Sequence, residues 1–296
     1  MGALGEVFGL NIFMGDRGYS YYQDVSITSV EANRDLAVET DALVVHFNDA
    51  ADMPEEELGA LRDSGLPEGF SIERRVRWPW IRRILPWRYP RAVDSLECGY
   101  LAHAILQVCG VAARLKEHAR MELRRKDGTL LVREARADGY GLLWADSWVA
   151  PGVYVKPVPE VHPNAHRLAD VVSRCARTTD TWDIDTFPMT AVVSDPGGSF
   201  FPKGVLVINK TAGKVIHVEA VRPDSRVCDS TLDSVIGVFE TTNQLPAVIR
   251  VRREDLFAVL SPLRRSLKVR VRKVDSIPLA DWAATSLSEY LNKKGR

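Results

Sequence analysis

The chain has 296 residues, 46% hydrophobic and 26% charged, with 39 Lys and Arg against 39 Asp and Glu. That length accommodates two domains with separate cores. The formal net charge of +0 excludes a chain drawn as a whole onto nucleic acid or an anionic membrane, so a charged partner has to meet a local patch.

The first residues, MGALGEVFGLNIFMGDRGYSYY, set Gly2, Gly5 and Gly9 ahead of a strand-like run at 10–14, and Gly15-Asp16-Arg17-Gly18 reads as a turn. A strand with no earlier partner so close to Met1 leads us to expect missing upstream sequence. Residues 41–49 (DALVVHFND) have the pattern of a buried strand. A helix over 54–64 follows, with Asp52 as its cap, Pro54 in its first turn, acids at the positive end of its dipole and Gly65 as its stop.

In 73–91 (ERRVRWPWIRRILPWRYPR) arginines alternate with Trp78, Trp80, Trp87 and Tyr89, while Pro79, Pro86 and Pro90 oppose a continuous helix or a central strand. We read the segment as irregular, its tryptophans filling a junction between domains and its arginines, Arg82 and Arg83 among them, in solvent. Stacking on bases or contact with a membrane are its functional alternatives.

Spacings of three and four at Leu96, Tyr100, Ala104, Val108, Val111 and Leu115 predict a helix over 92–123. His103 and His118 lie on it without a ligating residue one turn on, which makes them structural or solvent-facing. A hairpin over 122–135 turns at Lys126-Asp127-Gly128, and the proline-rich stretch 150–167 reads as an extended linker. The expected organisation is an N-terminal α+β domain over 1–149, that linker, and a C-terminal mixed α/β domain over 168–296.

The C-terminal part is the more legible. A short helix at 165–176 leads to TWDIDTFPMTAVVSD and a turn at Asp195-Pro-Gly-Gly. Two β-branched runs, 205–208 and 215–221, then form a hairpin with Gly213 at its loop. A helix over 229–244 opens on Asp229 or Ser230 and buries Leu232, Val235, Ile236 and Phe239. The strand AVIRV, a helix over 254–267 kinked at Pro262, a strand over 268–274 and a helix over 279–291 packing Leu279, Trp282, Ala283, Leu287 and Tyr290 complete the order βββαβαβα.

Four cysteines, Cys98, Cys109, Cys175 and Cys228, lie far apart with no C-x-x-C pair, which argues against a zinc knuckle and for reduced thiols. No apolar run reads as long enough to span a bilayer and no signal peptide is seen, so we expect a cytoplasmic protein without a membrane span. G-x-S-x-G, P-loop and H-E-x-x-H motifs are absent, and no resident metal or cofactor is expected.

Three stretches together carry a first resemblance: the glycines from Gly2 to Gly18, the W-P…R…P-W segment from Trp78 to Trp87, and L-P-A-V-I-R-V…L-x-P-L…L from Leu245 to Leu267. The combination is similar to uncharacterised bacterial proteins that pair two domains of unknown function. A second resemblance lies in the order of elements from Thr181 on, which is that of the ribonuclease H-like fold, especially its integrase branch. That resemblance implies a first-strand Asp after a Trp, a second Asp after a P-x-x-I strand and a Glu about 35 residues on, all holding divalent metal for phosphoryl displacement. Trp182-Asp183-Ile184-Asp185 supplies the first position, with Asp183 and Asp185 on one strand face. At the second, Arg252 and Arg253 stand where the acid belongs, Glu254 and Asp255 come late at a helix start, and Glu289 falls near the third. A fixed cation opposes a metal there. Asp183 and Asp185 are therefore read as solvent-face strand residues, and Glu254 and Asp255 as helix-start charges.

A basic cluster is the remaining surface. Arg250, Arg252 and Arg253, then Arg264 and Arg265, then Lys268, Arg270 and Arg272 fall within a short span, and the last five, of which Lys268, Arg270 and Arg272 share one strand face, are its candidate contacts. With Arg82 and Arg83 they form a candidate nucleic-acid surface; a cationic edge strand that deters aggregation is the structural alternative. The sequence thus points to a non-enzymatic binding or scaffold protein, its partner another protein first and nucleic acid second, its oligomeric state unspecified. The competing expectation is a Mg²⁺-dependent nuclease or strand-transfer relative acting through Asp185, Asp255 and Glu289.

Overall fold

The computed structural model describes residues 9–27, 36, 38–65, 69–72, 75–118, 120–137, 139, 141–155, 157, 160–189, 191–223 and 227–294. The glycines of 1–8 lie outside the described residues. The chain divides into two units, one of Met1–Pro86 with Pro90–Val155 and one of Trp87–Tyr89 with Lys156–Arg296.

In the first unit β1 (Gly9–Phe13) runs directly into α1 (Gly15–Ile27), so the glycines read as a turn begin a helix instead. Strand β2 (Ala42–Asn48) precedes α2 (Glu55–Asp63), whose N-cap position is held by Pro54 rather than the expected Asp52. Strands β3 (Phe70–Ile72) and β4 (Arg75–Ile84) complete an antiparallel sheet of order β1-β2-β4-β3. The segment expected to be irregular is thus a ten-residue strand containing Pro79. Among the described residues β3 pairs with Arg75–Arg77 and Arg91 bridges Arg83, which leaves β4 with an open edge at Pro79, the setting in which a sheet tolerates proline. Trp78 packs with Met53 and Leu58, and Trp80 joins that cluster, so these tryptophans fill a core inside the first unit.

Helix α3 (Ser95–Glu117) opens on a capping box. The Asp94 carboxylate accepts from the Glu97 N–H at 2.9 Å, and the Glu97 carboxylate accepts from the Asp94 N–H at 2.9 Å. Leu101 anchors the helix against Leu43 and Val45. Of the residues whose spacing predicts it, Leu96, Tyr100 and Val108 are exposed. By length and composition alone this helix suffices to cross a bilayer, contrary to the expected absence of such a run. Strands β5 (Leu130–Ala137) and β6 (Leu142–Val149) form a separate hairpin.

The second unit opens with α4 (Ala165–Arg174), which starts inside the stretch read as linker and is capped by the Asn164 side chain. Strand β7 (Ala176–Arg177) is short, and β8 (Thr181–Pro188) is the middle of the main sheet. A small hairpin, β9 (Val193–Asp195) and β10 (Gly198–Phe200), turns at Asp195-Pro-Gly-Gly, where the Asp195 side chain accepts from the Gly197 N–H at 2.7 Å. Strands β11 (Lys203–Asn209) and β12 (Lys214–Val221) are the expected antiparallel hairpin, with Gly213 at φ 67° in its loop.

Helix α5 (Val227–Thr242) is already running before Asp229 and Ser230, so neither caps it. Its expected apolar residues Leu232, Val235, Ile236 and Phe239 are buried, and Phe239 stacks on Trp182 at 5.6 Å between ring centroids. After β13 (Gln244–Leu245) and β14 (Val248–Val251), the expected single helix is two, α6 (Glu254–Leu260) and α7 (Leu263–Ser266), because Pro262 lacks the N–H that would continue the first. Strand β15 (Arg270–Lys273) and α8 (Pro278–Lys294) close the chain.

The main sheet has the order β12-β11-β8-β14-β15. β11 is antiparallel to β8, and β14 and β15 are parallel to it. Alternation along β8 sends Trp182 and Ile184 into the large core with α4, α5 and α6, and Asp183, Asp185 and Phe187 to the opposite face. On that face Phe187, Leu206 and Ile208 pack with Ile277 and Ala280, joined by Ala283 and Leu287 of α8. Leu279, Trp282 and Tyr290, expected in that interface, are exposed instead. Small alanines make the close contact, and the bulkier side chains lie on the helix's other side.

Candidate functional site

The acids on β8 come first, since the nuclease expectation names Asp185 among them. Asp183 and Asp185 are each only 2% exposed. They are buried, not solvent-facing as expected. Two buried carboxylates require compensation, and β14 supplies it in register. Parallel pairing places Arg250 beside Asp183, and Arg252, one residue past the end of β14, reaches Asp185.

Arg250 holds Asp183 at two points, Nε donating to Oδ1 at 2.6 Å and Nη2 to Oδ2 at 2.8 Å. The bond to Asp183 raises the Arg250 pKa above its ordinary value. The Arg252 Nη2 lies 2.8 Å from Asp185 Oδ2, and its Nη1 donates to Asp281 on α8 at 2.6 Å. The other Asp185 oxygen accepts from the Thr186 N–H at 2.9 Å.

Asp255 belongs to an adjacent pair. Arg253 contacts its two oxygens at 3.2 and 3.3 Å, and Oδ1 accepts from the Leu256 N–H at 2.9 Å. Burial pushes the Asp255 pKa up, but the charge and hydrogen bonds of Arg253, the Lys203 ammonium and the Leu256 N–H outweigh it and hold the group at about 2. Glu254 is exposed and ion-paired with Lys273. Glu289 is exposed on α8. Among the described residues no group of three or more His, Cys, Asp or Glu is placed to hold a metal ion. Asp185, Asp255 and Glu289 are therefore not brought together as a ligand set.

One serine–histidine contact needs mention. His217 Nε2 lies 3.2 Å from Ser234 Oγ and 3.3 Å from Glu219 Oε2. Serine and acid meet the same ring nitrogen, whereas a nucleophile relay needs them on opposite ones.

The candidate nucleic-acid residues separate into two groups. Arg82 pairs with Glu57 and lies over the Trp80 ring, while Arg83 donates to Asp41 at 2.5 Å and lies 3.1 Å from Glu97. Their side chains are 14% and 12% exposed, so they are structural charges of the first unit and not the wet arginines expected. Arg264, Arg265, Lys268, Arg270 and Arg272 instead line one groove of 1440 Å³ in the second unit. Its far wall is apolar, from Leu168, Ala169 and Val172 of α4 with Ala258 and Pro262. Among the described residues none of these five side chains is paired with a carboxylate.

The arginine locks on Asp183 and Asp185 were missed as a pair of pairs, although a signal existed. Asp183 and Asp185 are spaced by two, and so are Arg250 and Arg252, the spacing that parallel neighbours need to match. The α4 wall of the groove had no such signal, because only the tertiary fold sets α4 beside α7.

Residues 1–133 match a domain of unknown function (DUF7309), and residues 167–288 match a second domain of unknown function (DUF6930). No curated protein matches the chain.

Proposed function

We propose that this chain, which pairs two domains of unknown function, is a non-enzymatic binding or scaffold protein whose C-terminal half keeps a ribonuclease H-like domain with its acids locked. The likeness is supported by the order of the main sheet. Counted along the chain its strands lie 3-2-1-4-5, with only the second antiparallel to the rest. Helices follow the third, fourth and fifth strands.

The observation that carries the reading is the double lock of Asp183 by Arg250 and Asp185 by Arg252. Metal-assisted displacement requires carboxylate oxygens open to two cations about 4 Å apart. Here both first-strand acids face guanidinium groups whose charge cannot be removed by deprotonation. Placing Mg²⁺ beside them would set divalent charge against fixed positive charge with little solvent between.

The test is incubation of the full chain with Mg²⁺ or Mn²⁺ and labelled DNA and RNA, single- and double-stranded. We expect intact substrates. Cleavage that disappears in Asp185→Asn would establish the nuclease reading in its place.

A further inference from the structure

We infer that the groove between α4, α7 and β15 binds the phosphodiester backbone of nucleic acid, without reading its sequence. This rests on reading the chain as a binding protein, and it names the partner.

The argument starts from charge. The chain is neutral overall, and other arginines of the same unit spend their charge on acids. Arg167 pairs with Asp233 and Glu240, and Arg250, Arg252 and Arg253 pair with aspartates. The groove departs from that rule. Its five cations lie within residues 264–272, and among the described residues no acid lines it. Holding five like charges together costs self-repulsion, which an anionic ligand would relieve.

Size and geometry then narrow the ligand. A groove of 1440 Å³ exceeds the roughly 300–1,000 Å³ that suits a small molecule, so a polymer fits better. Arg270 and Arg272 are alternate residues of one strand, about 6.6 Å apart, similar to the separation of neighbouring phosphates along a nucleic-acid strand. Four of the five cations are arginines, whose forked donors match phosphate oxygens. Lys268, at φ 52°, turns the chain between α7 and β15 and keeps its charge in the same span.

The far wall decides between base readout and backbone contact. Among the described residues it offers Leu168, Ala169, Val172 and Pro262 but no aromatic ring and no side-chain amide. Bases have nothing to stack on and no edge-reading partner, so duplex should bind at least as well as single strand. An acidic peptide is the rival polyanion.

The experiment is fluorescence anisotropy of a labelled random-sequence duplex with the full chain, across salt. With all five side chains engaged, the slope of log affinity against log salt should be about −4.5, a loss of about 500-fold between about 50 and 200 mM. Arg264→Gln with Arg265→Gln should reduce that slope by about 2. Arg270→Glu with Arg272→Glu should abolish binding while the melting temperature stays put, since all four side chains are exposed. Salt-insensitive binding, variants that bind as wild type, or polyglutamate competing as well as unlabelled duplex would each overturn the proposal. Cleavage of the bound duplex would overturn catalytic silence and leave the groove standing.

Discussion

Arg250 grips Asp183 across neighbouring parallel strands, with Nε donating to Oδ1 at 2.6 Å and Nη2 to Oδ2 at 2.8 Å. The carboxylate is almost wholly buried, and its cation sits in the next strand at matched register. The pair is therefore part of how β8 and β14 join, and it engages both oxygens of Asp183.

Removing one partner of such a pair strands the other in a low dielectric. Arg250→Ala should lower the unfolding free energy by about 3–5 kcal/mol, read from the midpoint of urea denaturation at unchanged slope. Replacing both, Arg250→Met with Asp183→Leu, should recover most of that loss. A single variant within about 1 kcal/mol of wild type would mean that the pair is solvated.

Asp255 predicts an acid limb. Its folded pKa of about 2 lies below the unfolded value of about 3.9, so the folded state favours the ionised form. That contribution, about 2.5 kcal/mol, is complete above about pH 5 and is lost as pH falls through 2. Asp255→Asn should remove this portion of the acid sensitivity and lower stability at neutral pH, as followed by circular dichroism. An unchanged acid transition would contradict the assignment.

Gly204 is fixed by contact and not by backbone angle. A Cβ there would lie 2.5 Å from the Phe187 ring, which packs in the cluster under α8. Gly204→Ala should therefore cost about 1–3 kcal/mol through overpacking. A neutral effect would show that Phe187 has room to move.

The Asp94 cap offers a local test in the other unit. Asp94→Ala removes the acceptor of the Glu97 N–H and should cost about 1 kcal/mol, while Asp94→Asn should largely restore it. The comparison is again by denaturation midpoint.

What could be read from the chain was what local rules encode. The hairpin through Gly213, the turn at Asp195 and the buried stripe of α5 are written in β-branched runs, turn residues and helical spacing. The errors have one cause. Arg82 and Arg83 were read as wet because Glu57 and Asp41 lie far off in sequence, and Asp183 and Asp185 as solvent-facing because their partners arrive 67 residues later. Helical spacing predicts a helix over 92–123, where the structure has Ser95–Glu117, and two of the residues that carry the spacing, Leu96 and Tyr100, are exposed. A helical repeat reports a stripe, and only the neighbouring sheet decides which stripe is covered. The five groove cations were visible as a cluster, but their freedom from carboxylates and their apolar wall emerged from the fold alone.

The most direct measurement of the central reading is Mn²⁺ titration of the full chain, followed by NMR at the carboxyl carbons of Asp183 and Asp185. With both acids locked by arginine, these two resonances should keep their widths at Mn²⁺ concentrations that broaden exposed carboxylates. Selective, saturable broadening of the pair would place a metal at that position and contradict the account.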